Sequence, residues 1–261
     1  MEIEQFLSND SMRNFCYIVM GENKSAFIID PFDDQLLCDY IINNDLSLKG
    51  VINTHSHGDH TSGNYLLQKS FNTPVFCHPD AIEIIPHASN LLKDDQTIVL
   101  DNNTTLKILY TPGHTKDHIS ILVIHQNHNN AIFTGDTLFI ASVGNCPSKN
   151  AAKTLYQSIY KKIMPLNDDV IIYCGHDYTN ENLPFIFEID PNNLQAKNVL
   201  EKVSGLSDGT YYNTSLKEEK SINAFLQIDN KNVQKWIKAN CKKFNPENAE
   251  EIFATLRAIK P

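Results

Sequence analysis

Arginine is nearly absent from this chain: two in 261 residues, Arg13 and Arg257. Lysine and arginine together number 22 against 31 acidic residues, for a formal charge of -9. Binding a nucleic-acid backbone requires many clustered cations, so no nucleic-acid partner is expected. No apolar run approaches the ~20 residues of a membrane span, so no membrane partner is expected either. The first twenty residues, MEIEQFLSNDSMRNFCYIVM, are polar and acidic and lack the apolar stretch of a signal peptide. The six cysteines (Cys16, Cys38, Cys77, Cys146, Cys174, Cys241) are dispersed, with no C-x-x-C pair. That pattern excludes a disulfide framework and predicts reduced thiols in the cytoplasm. There is no G-x-S-x-G elbow, phosphate loop or dinucleotide fingerprint. A monomer is expected rather than an oligomer.

What is present is a two-part texture. Short β-rich runs, Phe15 to Met20, Ala26 to Ile29, Gly50 to Asn53 and Pro74 to Cys77, are separated by turn clusters such as Asp30-Pro31. Helical spacing appears at Asp34 to Asn43 and Ser62 to Ser70. Further strands are predicted at Thr97 to Leu100, Thr105 to Tyr110, Ile119 to His125, Asn130 to Gly135 and Val170 to Tyr173, with His125 to Asn130 as a hairpin loop. This alternation predicts a mixed α/β sandwich. Beyond about residue 178 the strand runs stop. Asn192 to Val203, Asn230 to Asn240 and Pro246 to Ile259 read as amphipathic helices, with Pro191 and Pro246 in their first turns. We therefore expect a domain over 1–177 and a small helical domain over 178–261.

The chemistry is concentrated in Thr54-His55-Ser56-His57-Gly58-Asp59-His60, directly after a predicted strand. Alternation in an extended segment lets His55, His57 and Asp59 converge on one side, with His60 approaching from another direction at the start of a helix. Three imidazoles and a carboxylate within six residues suit zinc, or iron or manganese. Three single residues extend the pattern, each just past a predicted strand: His114 in TPGHT, Asp136 in TGDTLF and His176 in CGH. Seven candidate ligands exceed one tetrahedral ion and suit two divalent metals sharing a carboxylate, for which Asp136 is the natural bridge.

At these residues the sequence resembles the metallo-β-lactamase superfamily, whose H-x-H-x-D-H signature reads THSHGDH here. Within it, GDTLF, GHDYT and the downstream segments EIDPN, SLKEE, NAFL and FATLRAIK resemble glyoxalase II, the hydroxyacylglutathione hydrolases. The resemblance covers essentially the whole chain. It implies the αβ/βα sandwich of that superfamily followed by a helical C-terminal domain. It assigns His55, His57 and His114 to one metal, Asp59, His60 and His176 to a second, and Asp136 to both. It further implies hydrolysis of S-D-lactoylglutathione to glutathione and D-lactate by a metal-bridging hydroxide, which Asp59 would also orient. Tyr178, Arg257 and Lys260 fall on the family's glutathione-holding positions. A related hydrolase of another thioester, or a persulfide dioxygenase-like enzyme, is the alternative on the same scaffold.

The chain departs from the family in its loop 141–149, ASVGNCPSK, where Asn145 replaces a basic residue; Lys149 is the cation that could substitute. Gln227 stands where the family has arginine, and Pro261 where it has aspartate. The remaining histidines, His78, His87, His118, His125 and His128, are expected to be structural or on the surface. Of these, His118 is the candidate partner of a ligand.

Overall fold

The structure, a computed structural model, describes residues 1–207, 209–241 and 244–260; Pro261 lies outside them. Six strands, β1 (Glu2–Leu7), β2 (Phe15–Met20), β3 (Ser25–Ile29), β4 (Ser47–Ile52), β5 (Val75–Cys77) and β6 (Ala88–Leu91), form one sheet in chain order. Its first three strands are antiparallel and the rest parallel. The parallel part requires crossovers, and α1 (Gln35–Asn43) and α2 (Asn64–Phe71) are two of them. The second sheet has the order β13-β10-β9-β8-β7, built from β7 (Thr97–Val99), β8 (Thr104–Tyr110), β9 (Ile119–His125), β10 (His128–Gly135) and β13 (Ile171–Cys174). Between β10 and β13 the chain makes a two-strand hairpin, β11 (Leu138–Phe139) and β12 (Ser142–Val143), and then α3 (Lys149–Ser158), continued by a π turn over Ile159–Ile163.

From β13 onward the named elements are helices: α4 (Thr179–Ile189), α5 (Leu194–Ser204), α6 (Leu216–Ile222), α7 (Lys231–Asn240) and α8 (Ala249–Ile259). Among the described residues none is long and apolar enough to cross a membrane.

Period-two alternation explains why β2 is buried at every position. Tyr17 and Val19 face the core between the two sheets, while Cys16, Ile18 and Met20 face α1 and α2 through a second cluster with Leu37, Ile41 and Leu67. The intersheet core runs on without a break into the helical region, where Leu183, Phe225, Phe253 and Leu256 join Phe133, Leu138 and Leu155.

The expected strands and helices are all present within a few residues, and the differences have local causes. The hairpin loop shrinks to Gln126 and Asn127, both with left-handed φ (51° and 61°), the conformation that closes a two-residue turn. Pro191 and Pro246 lie before their helices rather than in them. Asn193 and Asn248 cap instead, accepting from the backbone N–H of Ala196 and Glu251 at 2.9 and 3.1 Å. The sequence pattern does not show β1, half of whose residues are polar and most of them half exposed, nor β6, the short β11 and β12, α3, α4 and α6. α4 holds an interior Pro184, which local propensity penalises by about 3 kcal/mol. Burial of Leu183, Phe185 and Ile186 overrides it.

Candidate metal centre

The ends of β4, β8, β10 and β13 meet at one edge of the sandwich and deliver seven side chains to one place. His55, His57, His114 and Asp136 each offer one donor atom within 4.8 Å of the others, and Asp59, His60 and His176 form an equally tight second group. His57 Nδ1 lies 3.0 Å from both His55 Nε2 and His114 Nε2. Asp136 stands between the groups. Its Oδ2 is 3.3 Å from His114 Nε2, and its Oδ1 is 3.4 and 3.5 Å from His60 Nε2 and His176 Nε2.

All seven candidate ligands come together, but the local geometry differs from simple alternation. A 3₁₀ turn over Gly58–His60 swings Asp59 away from His55 and His57, so its Oδ2 sits 3.5 Å from both His60 and His176. His60 ends that turn, and α2 starts only at Asn64.

Several residues outside the seven fix their orientation. Asp30 accepts hydrogen bonds from Thr54 N–H (2.7 Å) and Thr54 Oγ1 (2.6 Å), and its Oδ2 lies 3.0 Å from His60 Nδ1. Asn14 donates through Nδ2 to Asp59 Oδ2 at 2.8 Å. His118 is fully buried, stacks on His55 with centroids 4.9 Å apart, and accepts from the Asp136 backbone N–H at 3.0 Å. His114 donates through Nδ1 to the Asn145 carbonyl (2.8 Å), and His176 through Nδ1 to that of Met12 (2.8 Å). Each leaves Nε2 free as an inward donor atom. Asp30 reads in the sequence only as part of a turn, and Asn14 carries no sequence signal at all. His118 does stand beside a ligand, as expected.

Electrostatics favours a cation. Burial opposes ionisation of Asp136, but the His60, His55 and His176 imidazoles outweigh it and hold its carboxyl well below the usual range. Burial likewise opposes charging of His60, yet Asp136, Asp30 and Asp59 raise it to about 9. His55 and His114 are pushed down, chiefly by burial, and so are neutral bases. Among the described residues Asp136 Oδ1 is buried without a hydrogen-bond partner, with only the long approaches of His60 and His176 beside it, a costly state for a carboxylate oxygen unless a cation satisfies it. Nitrogen and carboxylate donors in two groups joined by one carboxylate fit two divalent ions of the zinc, iron or manganese type.

Beside the second group lies a cavity of about 160 Å³ lined by Phe139, Ser142, Val143, Asn145, Tyr178, Arg257 and Lys260, among others. Tyr178 stacks on the His176 ring at 4.7 Å and 5°, which joins the cavity to the cluster. Arg257 donates to the Val143 carbonyl (3.2 Å), and Lys260 Nζ to Ser142 Oγ (2.5 Å) and Asn182 Oδ1 (2.7 Å). Among the described residues neither cation forms a salt bridge to a carboxylate. Burial, then repulsion from Arg257, lowers Lys260 to about 7. Lys149 does not stand in for the missing loop cation: it pairs with Glu251 at 2.5 Å. Gln227 is tied up in its own region, donating to the Lys220 carbonyl and accepting from Asn230.

Known proteins resemble this chain over its whole length. Residues 12–176 match the family described as Metallo-beta-lactamase superfamily, and residues 177–261 that described as Hydroxyacylglutathione hydrolase C-terminus. A hydroxyacylglutathione hydrolase of Nitrosococcus oceani is 33% identical over 88% of this chain and 87% of its own. One from a Polaromonas species is 31% identical over 100% and 99%. Among solved structures, ETHE1 from Myxococcus xanthus superposes with a TM-score of 0.67 at 24% identity over 99% of both chains, a likeness of fold.

Proposed function

Because the chain belongs to the hydroxyacylglutathione hydrolase family of the metallo-beta-lactamase superfamily, we propose that it hydrolyses S-(2-hydroxyacyl)glutathione, S-D-lactoylglutathione in the first instance, to glutathione and a 2-hydroxy acid. The observation that carries this reading is the pair Arg257 and Lys260. Two desolvated basic side chains, without a salt-bridge partner among the described residues, face a cavity beside the histidine cluster in which Glu181 is the one lining carboxylate. That arrangement suits an anionic tripeptide thioester, and it is costly for a protein that has no anion to place there.

We assign His55, His57 and His114 to one divalent ion, Asp59, His60 and His176 to another, and Asp136 to both, with zinc first and iron or manganese as alternatives. When bound, such ions supply a Lewis acid for the carbonyl oxygen and water ionised near neutral pH. The residues of the chain do the rest. Arg257 and Lys260 hold the glutathione carboxylate, and Tyr178 packs over the stem of the thiol. Asp59, fixed by Asn14, accepts the hydrogen bond that aims the attacking water. The C–O bond forms first, giving a tetrahedral oxyanion; its collapse breaks the C–S bond, the water's protons pass to the thiolate and to solvent, and glutathione leaves through the cationic cavity beside the 2-hydroxy acid anion. We place the enzyme in the cytoplasm as a monomer, with 178–261 as its substrate-holding part; the unbridged thiols of Cys16, Cys38, Cys77, Cys146 and Cys174 support a reducing compartment.

The test is a steady-state assay on S-D-lactoylglutathione beside acyl-coenzyme A thioesters, with metal analysis of the same preparation. We expect about two ions per chain and turnover that prefers the glutathione thioester. Activity confined to other thioesters, or a single ion with oxidation of a persulfide, would overturn the assignment.

A further inference from the structure

The hairpin that follows Asp136 is held by Thr134 Oγ1, which donates to the Leu138 carbonyl (2.7 Å), and otherwise largely from the helical region. Asn223 Nδ2 reaches the carbonyls of Phe139 (3.4 Å) and Ser142 (3.0 Å), and Asn182 Nδ2 that of Ile140 (3.0 Å). Ser142 Oγ and the Val143 carbonyl receive Lys260 and Arg257. At the tip, the Ala141 N–H donates to the Glu219 carboxylate (3.0 and 3.3 Å). Ala141 has φ 59°, a left-handed conformation that costs a non-glycine residue roughly 1 kcal/mol and persists only where its surroundings enforce it.

Glu219 differs from the other members of this contact set. It is wholly buried on α6, lines none of the described cavities, and its oxygens are filled by Ala141, Thr214 Oγ1 (2.9 Å) and Asn223 Nδ2 (2.8 Å). Arg257 and Lys260 face the cavity and would be shared with a bound anion, whereas Glu219 stays committed to the loop. The loop in turn ends on the metal cluster. A Cβ on Gly144 would overlap the Asp136 carbonyl, so the chain passes flush against that residue. The next carbonyl, of Asn145, receives the His114 Nδ1 proton.

We infer that Glu219 is a positioning residue for the metal ligand His114, acting through the 139–145 loop. The inference rests on the proposed ligand set. The carboxylate holds Ala141 left-handed, the loop then delivers the Asn145 carbonyl to His114 Nδ1, and Nε2 is kept as the inward donor. The helical part of the chain thereby shapes the metal site as well as the substrate cavity.

The experiment compares Glu219→Ala and Glu219→Gln with the parent in two ways: zinc affinity of the stripped protein by chelator competition, and kinetics on S-D-lactoylglutathione. Removing a hydrogen-bond partner of a metal-bound histidine typically costs 10- to 100-fold in metal affinity. Glu219→Ala leaves the Asn145 carbonyl in place and removes only the support of its loop, so it should bind one of two zinc ions a few-fold to about tenfold more weakly. It should also lose kcat by a similar factor, with KM changed less than about threefold. Glu219→Gln should recover most of both, because its amide oxygen can accept from Ala141 and Asn223 while its NH2 donates to Thr214 Oγ1. Should Glu219→Ala not fold, Glu219→Met keeps the volume without the acceptor and should show the same zinc defect. Unchanged zinc affinity in the Ala or Met variant, or a Gln variant as weak as they are, would overturn the role. Failure of the parent to hydrolyse the glutathione thioester counts against the proposed function, and the zinc measurement still decides Glu219.

Discussion

Lys260 changes its charge state within the working pH range. Burial and the neighbouring Arg257 lower it to about 7, and its hydrogen bonds go to the neutral groups Ser142 and Asn182. A bound carboxylate favours the charged form, so substrate binding and protonation of Lys260 support each other. As pH rises through 7 the free protein loses that proton and the anion loses a partner. KM should therefore increase above pH 7 and level off about tenfold higher, the equivalent of one charge-assisted contact. The check is KM for S-D-lactoylglutathione from pH 6 to 9 at constant ionic strength. A Lys260→Met enzyme should have the higher KM at low pH and a flat profile; a wild-type KM that does not rise would refute the idea. The candidate ligands were legible in the sequence because metal chemistry restricts residue types and each stands next to a strand end. The supporting residues were not. Asp30, Asn14 and Glu219 make their contacts across 30, 45 and 78 positions of chain, and only folding brings them there.

At the scale of elements, strands with strong apolar periodicity were readable, and turn geometry was read only in outline. The β9–β10 connection shows the gap. Its residues were placed in a six-residue loop, yet strand pairing continues to His125 and His128, leaving Gln126 and Asn127 to reverse the chain with both φ angles positive. Gln is a poor residue for that conformation and Asn a fair one, while Asn-Gly is the preferred pair. Replacing Gln126 by Asn and Asn127 by Gly should stabilise the protein by about 1 kcal/mol, raising Tm by roughly 2–4 °C in a chain of this size. The turn lies at the end of the hairpin away from Gly135 and Asp136, so kcat/KM should not change. A melting temperature equal to or below that of the parent would show that this turn is not strained. The opposite limit of local reading is α4, where an interior proline concealed a helix that only tertiary burial explains.

On the scale of the whole molecule, the change from strands to helices near residue 178 was visible as a change in residue pattern, and what it means for stability comes from packing. Leu183, Phe225 and Phe253 share one continuous cluster with Phe133, Leu138 and Leu155. Tyr156 packs on Phe253 at 5.6 Å, Tyr160 donates to the Phe225 carbonyl, and Lys149 and Lys153 both reach Glu251. A helical part so tied to α3, and latched onto the loop after Asp136, shares its core with the sandwich. The two parts should therefore unfold together in urea. Two separated probes can follow this. Trp236, the single tryptophan, packs edge-on against Phe185 at 5.1 Å in the helical part. Cys16, Cys38 and Cys77 are buried on the far face of the first sheet, in the cluster with α1 and α2. Tryptophan fluorescence and the labelling of those thiols should give coincident midpoints, as a single cooperative unit requires. A fluorescence transition at clearly lower urea, with the thiols still protected, would show that 178–261 is an independent domain and that its hold on the metal site can be released without unfolding the sandwich.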